Sequence, residues 1–131
     1  MSLFTVYDDF EAEITIIPEA EGGRRAPTYN GVRWDFCYAE GDYRQGLWMI
    51  PADFVDADGK SLPRELALLV GVPLLARMVV LNDELRESVH LPRIAAGVRF
   101  FCHEGSKRVA CGMVTRVTGL LERRRRRPKN E

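Results

Sequence analysis

The sequence predicts an all-β protein, a small barrel or sandwich of six or seven short strands, filling residues 1–121, with a basic disordered tail at 122–131. Two observations carry this prediction. Short runs of alternating apolar and polar residues are separated by turn signals at intervals of roughly eight to twelve residues, a spacing that favours a barrel or sandwich over an α/β protein. Closing such a sheet removes the edges that would otherwise recruit other chains. The second observation is a hairpin signature at residues 98–117, VRFFCHEGSKRVACGMVTRV. Two runs rich in β-branched, aromatic and small apolar residues flank Glu104-Gly105-Ser106-Lys107, and Gly105 can supply the positive φ that strand-matched turns need. With Gly105-Ser106 at the tip, His103 faces Arg108 and Cys102 faces Val109. Alternation then puts Phe100, Cys102, Val109 and Cys111 on an apolar face, and Phe101, His103, Arg108 and Ala110 on a mixed one.

Upstream, each element has its own reason. Residues 10–17, FEAEITII, alternate Phe10, Ala12, Ile14 and Ile16 against Glu11, Glu13 and Thr15, and Pro18, which lacks an N–H for the ladder, ends the strand. A long loop at 19–31 carries paired glycines and a proline. Residues 32–39 place Trp34, Phe36 and Tyr38 on one face and Arg33, Asp35 and Cys37 on the other. After a turn at Glu40-Gly41-Asp42, residues 45–50 read as a further short strand, and residues 53–62 as a polar loop. The segment 64–69 suits a short helix opened by Ser61 and Pro63, and a strand equally well. Residues 74–81, LLARMVVL, have the composition of a buried strand. Residues 82–87 read as a polar connection.

Composition sets the outer bounds. A chain of 131 residues, 46% hydrophobic and 29% charged, is one soluble domain with one core. It has no apolar run long enough to span a membrane. Acidic Asp8, Asp9, Glu11 and Glu13 stand where a secretory signal would need a basic and then apolar stretch. Three widely spaced cysteines do not suggest a disulfide framework, so a reducing cytoplasm is the expected compartment. The zero net charge hides an asymmetry: residues 1–121 hold 13 basic and 17 acidic residues, whereas the tail holds six basic and two acidic. Such an acidic body matches nucleic acid only if its cations are gathered on one face.

Candidate chemistry is sparse. Cys37, Cys102 and Cys111 with His90 and His103 lack the spacing of a zinc site, and read as small core hydrophobes. His103 beside Glu104 has no nucleophile or orienting carboxylate placed by spacing. The Asp56-Ala57-Asp58-Gly59 string lacks the spaced ligands and closing Glu of a calcium loop and reads as a solvated turn. The aromatic set Tyr29, Trp34, Tyr38, Tyr43 and Trp48 suits packing better than base stacking. The arginines at 123–127 read as a solvated tail, with nucleic-acid attachment as the sharper alternative. No GxxxxGK[ST] loop is present, so GTP binding is not expected. The expectation is a non-enzyme with no cofactor and no metal.

Residues 10–36, FEAEITIIPEAEGGRRAPTYNGVRWDF, resemble the opening of the third, C-terminal domain of elongation factor Tu. The resemblance lies in the Phe-x-Ala-x-hydrophobic strand, Glu21-Gly22-Gly23-Arg24, Pro27 and Gly31-Val32-Arg33. The closing hairpin is similar as well, through Gly97, Arg99-Phe100, Glu104-Gly105, Val109, Gly112 and Val114, and Met78-Val79-Val80 resembles the strand between. The resemblance narrows the fold to a small closed antiparallel β-barrel of about six strands, and implies a binding module for tRNA, other RNA or a translation-related protein. Arg24, Arg33 and Lys107 stand at its contact positions, where phosphates would be neutralised and shape read. Trp34-Asp35 replaces the family's Pro-Gln, Ser106 replaces a glycine, and residues 39–72 run longer than the family's connection. The alternative is a protein-interaction or oligomerisation module that has lost RNA binding, and its mark would be an exposed apolar patch contributed by 39–72.

Overall fold

Alternation decides the central strand. In a computed structural model describing residues 2–129, β1 (Phe10–Ile16) buries Phe10, Ala12, Ile14 and Ile16 and leaves Glu13 in water. It pairs on one side with β4 (Pro73–Met78) and on the other with β6 (Lys107–Val117). Beyond them lie β3 (Ala52–Val55), β5 (Arg99–Glu104) and β2 (Asp35–Tyr38), giving one antiparallel sheet of order β2-β5-β6-β1-β4-β3. The chain is thus mostly β, with one short helical segment. Among the described residues β2 and β3 do not pair, so the ladder itself is open, where the sequence predicts closure. Residues 48–51 run between the two edges. Trp48 and Phe36 exchange backbone hydrogen bonds, and the carbonyls of Met49 and Pro51 accept from Leu81 and Val79. All six strands feed one core, in which Phe10, Phe36, Phe54, Met78, Phe100 and Val114 belong to a single cluster.

The paired glycines of the 19–31 loop have a steric cause. Gly22 holds φ at 94°, and a Cβ on Gly23 would lie 1.8 Å from the Ile17 carbonyl oxygen, so neither position admits a side chain without moving the backbone.

The hairpin forms at the expected tip, with Gly105 at φ 60° and His103 opposite Arg108. Its register then departs from the expected one. A bulge sets Cys102 opposite Ala110 instead of Val109, so Val109 is the extra residue of β6. Because side chains alternate, one inserted residue exchanges faces for everything beyond it. Val109 and Ala110 are both buried, and Cys111, expected inside, is exposed.

Three further expectations give way. The loop expected from residue 53 onward begins as β3, because Asp53 is buried inside a cage of donors. Its carboxylate accepts from Ser61 Oγ (2.7 Å), Leu3 N (3.1 Å) and Asn30 Nδ2 (3.0 Å). The strand expected at 45–50 is reduced to the Trp48 bridge. No helix forms in 61–70, where Ser61 bonds Asp53 instead of capping. The short helix lies at α1 (Asp83–Leu85), where Asn82 Oδ1 accepts from Leu85 N, and it runs on as a π-helical turn, Arg86–His90.

Candidate functional site

Of the three cations implied by the resemblance, the fold joins one, Arg24, to the Glu104 carboxylate and sets a second, Lys107, opposite Glu104 in the ladder. Arg24 leaves the glycine loop to meet Glu104 at 3.1 Å, and its guanidinium also donates to the Pro27 carbonyl (2.9 Å). Lys107 is the ladder partner of Glu104 across the hairpin tip. Arg33 comes in less directly: it precedes Trp34, whose indole N–H donates to the same Glu104 carboxylate at 3.2 Å. The side chains of Arg33 and Lys107 are exposed and make no hydrogen bond or ion pair among the described residues. This pole therefore offers two open cations beside a third that is already compensated. An ion pair as exposed as Arg24–Glu104 is worth at most about 1 kcal/mol, so it orders the loop more than it stabilises the fold.

The cysteines and histidines are not gathered. Among the described residues no group of three or more His, Cys, Asp or Glu is placed to hold a metal. Burial pushes the Cys102 thiol up to about 12, while Cys111 looks outward from the far side of the bulge. His103 is buried beneath Tyr43, its Nδ1 3.2 Å from the Gly105 carbonyl and its Nε2 without a partner. Burial holds its pKa down, the Gly105 hydrogen bond opposes this, Arg108 lowers it further and Asp35 opposes.

The arginine run expected to be a disordered tail lies against the body; residues 130 and 131 of that expected tail fall outside the described residues. Asp9, fully buried, is the anchor. It accepts from Val80 N (2.8 Å) and Arg86 Nε (2.7 Å), and Arg124 stands 3.5 Å away. Arg124 also pairs with Asp83 and bonds the Val80 carbonyl. Arg127 pairs with Asp8 at 3.6 Å, and backbone bonds join Tyr7 to Arg125 and Arg127 to Thr5. Two arginines of the run, Arg124 and Arg127, thus meet acidic side chains of the body within one molecule.

Two further features matter, the first falling largely within the 39–72 stretch where an exposed apolar patch is one of the expectations, the second with no forewarning in the sequence. The first is an apolar strip at 66–75. Leu68 turns inward because its N–H donates to the Thr28 carbonyl, and Gly71 N donates to the Ile16 carbonyl. Pinned at those points, the segment leaves Leu66 (62%), Leu69 (67%), Val70, Val72 and Leu75 in solvent. The LALLV run leaves helix or strand open, while an exposed apolar patch from 39–72 is the mark expected of an interaction module. The second is a buried pair, Tyr38 Oη and His90 Nδ1, 2.6 Å apart, with the Trp48 ring edge-on to His90 and Arg93 stacked 3.7 Å over Tyr38. Burial, reinforced by Arg93, lowers the His90 pKa to about 4, and burial raises that of Tyr38 while Arg93 opposes. Contacts of such sequence separation leave no local signal.

No model of a known protein family matches the chain.

Proposed function

We propose that the chain is a non-catalytic binding module of the elongation factor Tu C-terminal-domain type, its sheet closing into a six-stranded barrel, and that it works by docking protein surface. The observation that carries this reading is the exposed apolar strip at 66–75, since monomeric soluble proteins rarely leave contiguous apolar surface uncovered without a use for it. Barrel closure is supported by the single core shared by all six strands and by residues 48–51, which reach both sheet edges. The simplest occupant of the strip is a second copy of the chain, because an isologous contact needs only one self-complementary patch. Light scattering over a concentration series should give twice the chain mass at the upper end. Leu66→Lys with Leu69→Lys should return it to the monomer mass, and a wild-type monomer throughout would defeat the reading.

A second reading, RNA contact through Arg24, Arg33 and Lys107, is supported by Arg24 on Glu104, by Lys107 opposite Glu104 in the hairpin, and by the exposure of Arg33 and Lys107. Filter binding of tRNA at two salt concentrations tests it. Binding should weaken with salt, and Arg33→Ala with Lys107→Ala should reduce the salt slope by roughly two. Salt-insensitive retention, or none, would remove RNA as a partner.

A further inference from the structure

Where the turn after the π-helix crosses β2, the surface opens into a cavity of about 460 Å³ lined by Tyr38, Glu40, Arg93, Gly97, Val98 and Arg99. A second cavity of about 230 Å³, reaching Gln45 and Trp48, shares Tyr38, Glu40 and Arg93 with it, so Arg93 stands between the two. The larger volume lies within the range of small-molecule sites.

Arg93 is held in place by the elements around it. Its N–H and that of Ile94 both donate to the His90 carbonyl, closing the turn, and Ile94 is buried. That turn sets the guanidinium carbon 3.7 Å over the Tyr38 ring, whose hydroxyl is held by the hydrogen bond to His90. The guanidinium is therefore covered by the ring while its donors are unspent: the Arg93 side chain makes no hydrogen bond or ion pair among the described residues. The side chain of Arg99, exposed on the same wall, makes none either. In the larger cavity two cations face one carboxylate, Glu40, and the remaining wall is small and apolar; a second carboxylate, Asp42, lines the smaller cavity on the other side of Arg93. A planar fork with unspent donors beside a second cation matches a carboxylate or a phosphate group better than any neutral partner.

We propose that this cleft binds a small anionic molecule, a carboxylate or a phosphate, held by the Arg93 fork with Arg99 as the second cation. The site stands apart from the apolar strip and from the hairpin cations, and its fate is independent of theirs. The test is amide chemical-shift mapping of the full chain with sodium benzoate, inorganic phosphate and, as the neutral isostere, benzamide. Benzoate or phosphate should move the amides of Ala39, Glu40, Gly97 and Val98, and benzamide should not. A response to benzoate alone assigns a carboxylate ligand, and one to phosphate alone assigns a phosphate. Arg93→Gln should weaken the dissociation constant by about tenfold or more, whereas Arg64→Gln, an exposed cation lining neither cavity, should leave it unchanged. If Arg93→Gln proves poorly folded, Arg99→Gln takes its place with the same expectation. No localised response at ligand concentrations on the order of 10 mM, an equal response to benzamide, or undiminished binding by the folded variant would overturn the assignment.

Discussion

At the scale of single residues, the side chain on which most depends is Asp9. It is buried, ionically paired with Arg86 and bonded to the Val80 amide, and removing its charge would strand the Arg86 guanidinium in the interior. Breaking one partner of a buried pair costs roughly 3–5 kcal/mol, so Asp9→Asn should lower the urea midpoint substantially. Glu11→Gln, which loses only the exposed Arg116 pair, should barely move it. Equal effects would show that the buried network contributes nothing special. None of this was legible in advance: Asp9 read as one of several acids in a polar opening, because its partners lie 71, 77 and 115 positions along the chain. The local settings of Arg24 and Lys107 were legible, since a glycine loop and a hairpin tip each fix a local address. Arg93 and His90 were not, for their meaning depends on which strand passes beneath them.

At the scale of elements, what alternates was readable and what is caged was not. β1, the core of β2, most of β4 and the closing hairpin each follow period-two patterning, and each appears within a few residues of its expected place. β3 broke the rule because all four of its residues are buried, with Asp53 satisfied by donors from three other segments. Asn30 supports that strand like a missing neighbour: its Oδ1 accepts from Phe54 N, and its Nδ2 lies 3.0 Å from the carbonyls of Phe54 and Leu62. The bulge at Val109 was invisible, since an extra apolar residue in an apolar strand leaves the composition unchanged. It does make Gly112 critical. Opposite Phe100, a Cβ on Gly112 would sit 2.3 Å from the ring, and β6 has no slack to move it. Gly112→Ala should therefore cost about 1–3 kcal/mol through overpacking, read as a drop in melting temperature. An unchanged melting temperature would mean that the Phe100 ring can swing aside.

For the molecule as a whole, the docked tail and the buried histidine set the response to conditions. Truncation after Leu121 would strip Arg124 from Asp9 and Asp83 and Arg127 from Asp8, and should destabilise the fold more at low salt than at high, because the lost ion pairs on the outer side are screened. Melting curves of the truncated and full chains at two ionic strengths decide it; identical curves would return the arginines to the status of a solvated appendage. Acid acts through His90. Its pKa is about 4 in the folded protein against about 6.5 unfolded. Between those values the unfolded chain binds a proton that the folded chain refuses, so stability rises with pH across this window. The contribution is whole above pH 6.5 and is lost as pH falls towards 4, on the order of 3 kcal/mol in all. His103, shifted in the same direction, adds to it. Urea midpoints at pH 7 and 4.5 should differ more in the wild type than in His90→Asn; a parallel decline in both would place the acid sensitivity elsewhere.

The backbone bonds that zip Thr5–Tyr7 to Arg125–Arg127 also determine how this unit can be wired to others. Its way in and its way out are adjacent on one pole, opposite the hairpin tip, much as a plug has its leads on one side. Such a unit can be spliced into a surface loop of a host without stretching either polypeptide. It can equally be rejoined through a short linker and reopened at the exposed Asp56-Ala57-Asp58 turn, a permutation that leaves every paired strand intact.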